Sequence, residues 1–176
     1  VLRQVIEDLR EDGQSVPDQV AVGMMVEVPA TVLMLEHFVE EVDFISIGTN
    51  DLIQYTMAVD RGNEHVADLY AGHDPAVLRL LKQAIDISSQ TGTDLCVCGE
   101  MSSTPTSALT LIGLGVRVLS APPPALPKVK QAIRSISLQD CQHMAARAFE
   151  FDTAREVDAF LQQRFAELVP EMSVGV

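Results

Sequence analysis

Four short apolar runs divide the chain: Val20-Ala21-Val22-Gly23-Met24-Met25-Val26, Val42 to Ile47, Leu95-Cys96-Val97-Cys98 and Val116-Arg117-Val118-Leu119. Their apolarity is nearly continuous rather than alternating, which predicts strands buried on both faces. Between them, apolar positions recur at helical spacing. Residues 1–12 place Leu2, Val5, Ile6 and Leu9 on one face until Glu11-Asp12-Gly13 ends the pattern. Gln14 to Asp18 is a polar loop around Pro17, and Pro29 predicts the first turn of a helix reaching Val39. Residues 64–71 predict a short helix. Asp74-Pro75 is an N-cap and N1 pair for a helix over Ala76 to Gln90, stopped by Gly92. Ser103-Thr104-Pro105 opens a helix through Leu114, whose end Gly113 and Gly115 mark. Pro122-Pro123-Pro124 precedes a helix of about 125–135. Two amphipathic stretches follow, Leu138 to Glu150 and Thr153 to Leu168, and the last six residues are expected to be loose.

Strand–helix units in succession, without a hairpin signal, imply an α/β fold with a parallel sheet and right-handed crossovers. Four units make half of a (β/α)8 TIM-type barrel or a small doubly wound sheet. A half barrel would occupy about residues 1–135 and two C-terminal helices about 138–168. Its two open strand edges would want a partner.

Composition narrows the function classes. The chain has 176 residues, enough for one domain, and its apolar runs are too short to span a membrane. It begins without Met and without signal-peptide architecture, so a fragment entered in mid-helix is expected. Twenty-five acids against 12 bases give a net charge of −13, which argues against a nucleic-acid surface. An anionic substrate would then need local cations or a metal. Three cysteines do not make a disulfide framework, and a cytoplasmic location is expected.

In parallel α/β folds the carboxyl ends of strands face the ligand crevice. Here those ends carry Glu27, Asn50-Asp51 and Cys98-Gly99-Glu100, with Arg61 ten residues beyond Asp51. Carboxylates on neighbouring strand ends suit Mg²⁺, and an arginine nearby suits a phosphate. The plainer alternative is an Asn-Asp turn beside a solvated arginine. Cys96 reads as a small core hydrophobe. Cys98, where the strand opens, suits a general acid more than a nucleophile in such an anion-rich setting. A zinc site lacks further ligands of matching type. His37, His65, His73 and His143 share no motif and have no evident Asp or Ser partner in the sequence, so no catalytic triad is expected.

The segments Met25-Val26-Glu27-Val28-Pro29, Ser46 to Thr56, Ala58-Val59-Asp60-Arg61-Gly62-Asn63 and Cys98-Gly99-Glu100-Met101 occur in that order. Together they resemble the C-terminal part of enzyme I of the bacterial phosphotransferase system, a phosphoenolpyruvate–protein phosphotransferase family. The likeness covers roughly residues 20–135. Pyruvate phosphate dikinase and phosphoenolpyruvate synthase share the Glu, Asn-Asp and Cys-Gly elements, whereas Tyr55 to Asn63 stands closer to enzyme I. The Cys98-Gly99-Glu100-Met101 element leans towards its nitrogen-related branch, and the choice between sugar transport and nitrogen regulation stays open.

The resemblance implies a phosphoenolpyruvate-binding barrel that dimerises. Glu27 and Asp51 would hold Mg²⁺, Asn50, Asp51 and Arg61 would bind phosphoenolpyruvate, and Cys98 would protonate the enolate carbon. The family's phosphoacceptor histidine, which serves a histidine phosphocarrier protein, lies in an N-terminal domain. None of the four histidines here takes that role. The first half of the barrel, with further phosphate-binding arginines, is also absent, so the fragment alone is expected to be inactive. Pro122-Pro123-Pro124 departs from the family's more mixed loop. The alternatives are the C-terminal domain of a dikinase or synthase or, for the fragment, a dimerisation module.

Overall fold

The computed structural model describes residues 1–17 and 19–173. Its four strands, β1 (Gly23–Val26), β2 (Phe44–Gly48), β3 (Asp94–Cys98) and β4 (Val118–Ser120), form one sheet in that spatial order. Every pairing is parallel. With the helices α1 (Leu2–Glu11), α2 (Pro29–Leu33), α3 (Leu35–Phe38), α4 (Thr49–Met57) and α5 (Pro75–Thr91), this is the α/β architecture of a partial TIM-type barrel. The later helices are α6 (Pro105–Leu114), α7 (Leu126–Arg134), α8 (Leu138–Ala148), α9 (Ala154–Leu168) and α10 (Pro170–Ser173).

The strands are not buried on both faces. Val26, Ile45, Ile47 and Val97 are sealed within the core, whereas Met25, Phe44 and Val118 stay 48%, 39% and 56% exposed. Register explains the split: Met25 pairs with Ser46, Ser46 with Cys96 and Cys96 with Val118, so these residues share one face. The near-continuous apolarity is that of a sheet whose second face is also apolar but lacks cover in this chain. Two strands start later than the apolar runs. Val22 is engaged instead with Asp43, its N–H donating to Oδ2 at 2.7 Å. Val116 N–H closes the end of α6 on the Leu111 carbonyl at 3.0 Å, so β4 begins at Val118.

Several helices also differ from the periodicity. The stretch from Pro29 to Val39 is two short helices broken at Met34, a division that leaves both Val32 and Leu35 fully buried. Residues 64–71 contain only a 3-10 turn, Ala67–Leu69. Helix α1 forms as the spacing predicts, yet none of its residues is buried, so its apolar face is uncovered. Helix α4 starts directly after β2, where no helix was expected. In α5 the Asp74 cap is formed, with Oδ1 accepting from Ala76 N–H at 2.8 Å, and Val77, Leu78, Leu81, Ala84 and Ile85 are buried.

Helices α8 and α9 carry hydroxyl caps at Ser137 and Thr153, which accept from the N–H groups of Asp140 and Glu156 at 3.1 and 3.3 Å. Met144, Ala148, Val157 and Leu161 join the main core through them. Gly113 lies against α8 rather than merely marking a helix end: a Cβ there would meet the Cys141 carbonyl oxygen at 2.0 Å. Pro122 and Pro123 form the turn that launches α7, their carbonyls accepting from Ala125 and Leu126 N–H at 2.9 and 3.3 Å. Of the tail expected to be loose, residues up to Ser173 continue α10, and residues 174–176 lie outside the described residues, as does Asp18 of the polar loop. No helix among the described residues is long and apolar enough to cross a membrane.

Candidate active site

The carboxyl ends of β1, β2 and β3 are level. Val26 pairs with Ile47, and Gly48 with Cys98, so Glu27, Gly48 and Cys98 stand at one rim. The Glu27 carboxylate lies over Gly48, where a Cβ would come within 2.8 Å of Oε2. A side chain at position 48 would push Glu27 off the rim.

Asn50 and Asp51 are not in a loop turn; they sit in the first turn of α4. The partial positive charge of a helix N-terminus favours a carboxylate there. Asp51 Oδ1 lies 3.6 Å from Arg61 Nη2, and both side chains are more than a third exposed, so the pair is weak and exchangeable. Arg61 reaches back because its chain is folded against α4: its own N–H donates to Gln54 Oε1 at 3.2 Å, and Asp60 Oδ1 accepts from Gly62 N–H at 2.8 Å. Asn50 ties the second strand end to the third, its Oδ1 accepting from Glu100 N–H at 2.9 Å. The remaining amide nitrogen of Asn50 is the part of that side chain able to donate elsewhere.

Cys98 is half-buried. Its thiol donates to the Ile47 carbonyl at 3.4 Å, and Ser46 Oγ donates to Sγ at 3.7 Å. Thr49 Oγ1 donates to the Cys98 carbonyl at 2.8 Å. The next residue, Gly99, has φ +104 and ψ −171, a conformation that only glycine adopts without strain. Tyr70 closes the other side, its hydroxyl donating to the Asn50 carbonyl at 3.2 Å. Burial and then the Glu100 charge raise the Tyr70 pKa, while Arg61 acts in the opposite direction. Tyr70 is therefore a neutral donor that shares its surroundings with Arg61 and Glu100.

The donor set fits a hard cation. Among the described residues no group of three or more His, Cys, Asp or Glu side chains could enclose a metal. Glu27 and Asp51 supply two carboxylates, which is what Mg²⁺ commonly takes from a protein before substrate oxygens and water complete its shell.

Glu27, Asn50, Asp51, Arg61 and Cys98 thus belong to one rim. Ser46, Thr49, Gln54 and Tyr70 support them and were not singled out in the sequence. Ser46 did carry a signal, as the one hydroxyl inside an apolar strand. One set of contacts has no mark in the sequence: His73 meets Asp158 at 2.5 Å and Ser107 at 3.0 Å. They lie 85 and 34 residues away along the chain, beyond any local pattern. His37, His65 and His143 are exposed.

Residues 1–138 match the model of the family described as PEP-utilising enzyme, PEP-binding domain, PEP being phosphoenolpyruvate. Three curated relatives bear the name phosphoenolpyruvate-protein phosphotransferase. The one from Haemophilus influenzae is 40% identical over 94% of this chain and 30% of its own length. The Bacillus subtilis protein is 39% identical over 94% of the chain and 29% of its length. That of Staphylococcus carnosus is 42% identical over 85% and 26% respectively. The chain therefore spans less than a third of the length of these relatives.

Proposed function

The chain belongs to the PEP-binding domain family of the PEP-utilising enzymes, and from that premise we propose that it forms the phosphoenolpyruvate-cleaving rim of a phosphoenolpyruvate–protein phosphotransferase. The observation that carries this reading is the meeting of Glu27, Asn50-Asp51 and Cys98 at adjacent strand ends, with Arg61 turned towards Asp51. Residues 1–135 act as half of the barrel and residues 138–168 as helices packed on it. The whole works in the cytoplasm as a homodimer whose N-terminal part carries the phosphoacceptor histidine and meets a histidine phosphocarrier protein.

Arg61 exchanges Asp51 for the phosphate, which its planar fork can hold by two parallel bonds. Asp51, so released, and Glu27 would hold Mg²⁺, which when bound would neutralise charge on the transferring group. Asn50 donates its amide N–H to the substrate. The bond between phosphorus and the enol oxygen breaks as one to the histidine nitrogen forms, and the electron pair stays on the enolate. Phosphoryl transfer asks little covalent chemistry of these residues beyond placement and charge. The Cys98 thiol then gives its proton to the enolate methylene carbon, leaving pyruvate and a thiolate that solvent reprotonates.

The test is pyruvate release from phosphoenolpyruvate by the full-length enzyme with Mg²⁺ and histidine phosphocarrier protein, with and without AMP and phosphate. Release that tracks carrier phosphorylation and ignores nucleotide supports the phosphotransferase. Release that demands AMP and phosphate moves the protein to the dikinase branch. Unchanged pyruvate formation in Cys98→Ala would remove Cys98 as the proton donor.

A further inference from the structure

His73 is buried and uses both ring nitrogens. Its Nδ1 is 2.5 Å from Asp158 Oδ1 and its Nε2 is 3.0 Å from Ser107 Oγ, which in turn accepts from Thr104 Oγ1 at 2.7 Å. The Asp158 carboxylate only accepts, so Nδ1–H donates to it. Each side chain of this network has a partner within it. The order Asp–His–Ser is that of a hydrolase triad, but nucleophilic attack is closed off. Ser107 is 7% exposed, lies in the first turn of α6 and has Thr104 on its oxygen.

The place of His73 in the chain indicates its use. It lies at the far end of the segment between α4 and α5 that carries Arg61. The near end is fixed by Ala58, in the left-handed conformation at φ +53, and by Gln54 holding the Arg61 N–H. Towards the far end, Tyr70 bonds the Asn50 carbonyl. Gly72 packs so closely that a Cβ would touch Ile53 of α4 and Met101 beyond Cys98, each at 3.4 Å. The next residue is His73, which joins this packed stretch to α6 through Ser107 and to α9 through Asp158. The Asp158 side chain is 49% exposed, so the α9 end of the tie is open to solvent.

We propose that His73 is a positioning residue: with Asp158 and Ser107 it anchors the Arg61 segment to helix α9, so that the seating of α9 sets the phosphate-binding geometry. The inference rests on the phosphoenolpyruvate reading for its kinetic consequence, but not for its structural one. Loosening the anchor leaves the thiol and the carboxylates in place and disturbs the arginine and tyrosine. The penalty therefore falls on substrate binding more than on turnover.

The test uses the full-length enzyme and the variants Asp158→Ala, Asp158→Asn and His73→Phe. Asp158→Asn keeps an oxygen that can accept from Nδ1–H. Steady-state kinetics is paired with amide hydrogen exchange over residues 59–73. Asp158→Ala and His73→Phe should raise KM for phosphoenolpyruvate about 3- to 10-fold with kcat within about twofold, and Asp158→Asn should stay within about twofold in both. Exchange over 59–73 should quicken in the first two variants only. Unchanged KM in both Asp158→Ala and His73→Phe would overturn the proposal, as would a loss confined to kcat or faster exchange confined to α9. If the wild-type enzyme fails to consume phosphoenolpyruvate, the functional reading falls, and the exchange pattern alone still decides whether the anchor exists.

Discussion

Gly99 lies between the Cys98 carbonyl bonded by Thr49 and the Glu100 N–H bonded to Asn50, and replacing it with alanine should break both bonds. At φ +104 an alanine carries backbone strain of about 1–3 kcal/mol. Its Cβ would also lie 2.3 Å from Thr49 Oγ1 and 2.8 Å from Asn50 Oδ1. Those two atoms make the bonds to the Cys98 carbonyl and from Glu100 N–H, each worth about 1 kcal/mol. Stiffening of the unfolded chain returns about 0.5–1 kcal/mol, leaving a net loss of about 2–4 kcal/mol. Gly92→Ala is the matched control. It too has positive φ, +73, but a Cβ there meets nothing within 4 Å, so only strain of about 1–2 kcal/mol applies before the same offset. Urea unfolding followed by far-ultraviolet circular dichroism separates them. With a slope of about 2 kcal/mol/M, the midpoint should fall by about 1–2 M for Gly99→Ala and by about 0.5 M for Gly92→Ala. Equal shifts would refute the claimed crowding of Thr49 and Asn50 around Gly99.

Three further outcomes follow from the rim. Arg61→Lys keeps the charge but loses the fork, and KM for phosphoenolpyruvate should rise about 10-fold or more in steady-state assays; an unchanged KM would remove Arg61 from the phosphate. Ser46→Ala takes away the hydroxyl proton that faces Sγ, so the thiolate left by proton donation is less stabilised. Its kcat for pyruvate formation should drop about 3- to 10-fold with KM within about twofold, and an unaltered kcat would make Ser46 a packing residue only. Tyr70 has a raised pKa, so above its ordinary value of 10.0 the folded state keeps a proton that the unfolded chain loses. Its contribution to stability is whole below about pH 10 and drains away as pH rises through the raised value. Tyr70→Phe should flatten that alkaline limb of the urea midpoint, and an identical limb would place the titration elsewhere.

The order of elements was legible because buried strands and capped helices leave local marks. Asp74-Pro75 announced α5 by its cap, and the apolar run ending at Gly48 announced β2. What was lost depended on distance or on cover. Helix α4 hides in Thr49-Asn50-Asp51 because polar residues selected for the rim occupy its first turn and mask the periodicity. Met25, Phe44 and Val118 look like core in the sequence, since composition records an apolar side chain but not what covers it. The rim residues Glu27 and Cys98 were legible as strand ends, and Asp51 as a residue just beyond one. Their neighbours Ser46 and Tyr70 were not, because each acts through a contact made across the sheet or across the loop. His73 is the clearest case: its partners are set by how α6 and α9 fold back, which no spacing encodes.

On the proposed reading, one rim holds metal, phosphate and the carbon to be protonated. The most direct test is a crystal structure of the full-length enzyme with Mn²⁺ in place of Mg²⁺ and a non-hydrolysable phosphonate analogue of phosphoenolpyruvate. Anomalous scattering would locate the metal. The expected result is Mn²⁺ on the Glu27 and Asp51 carboxylates, the phosphonate on the Arg61 fork and the analogue's methylene carbon facing Cys98 Sγ. Metal or analogue bound away from the carboxyl ends of β1, β2 and β3, or Arg61 still paired with Asp51 in the complex, would contradict it.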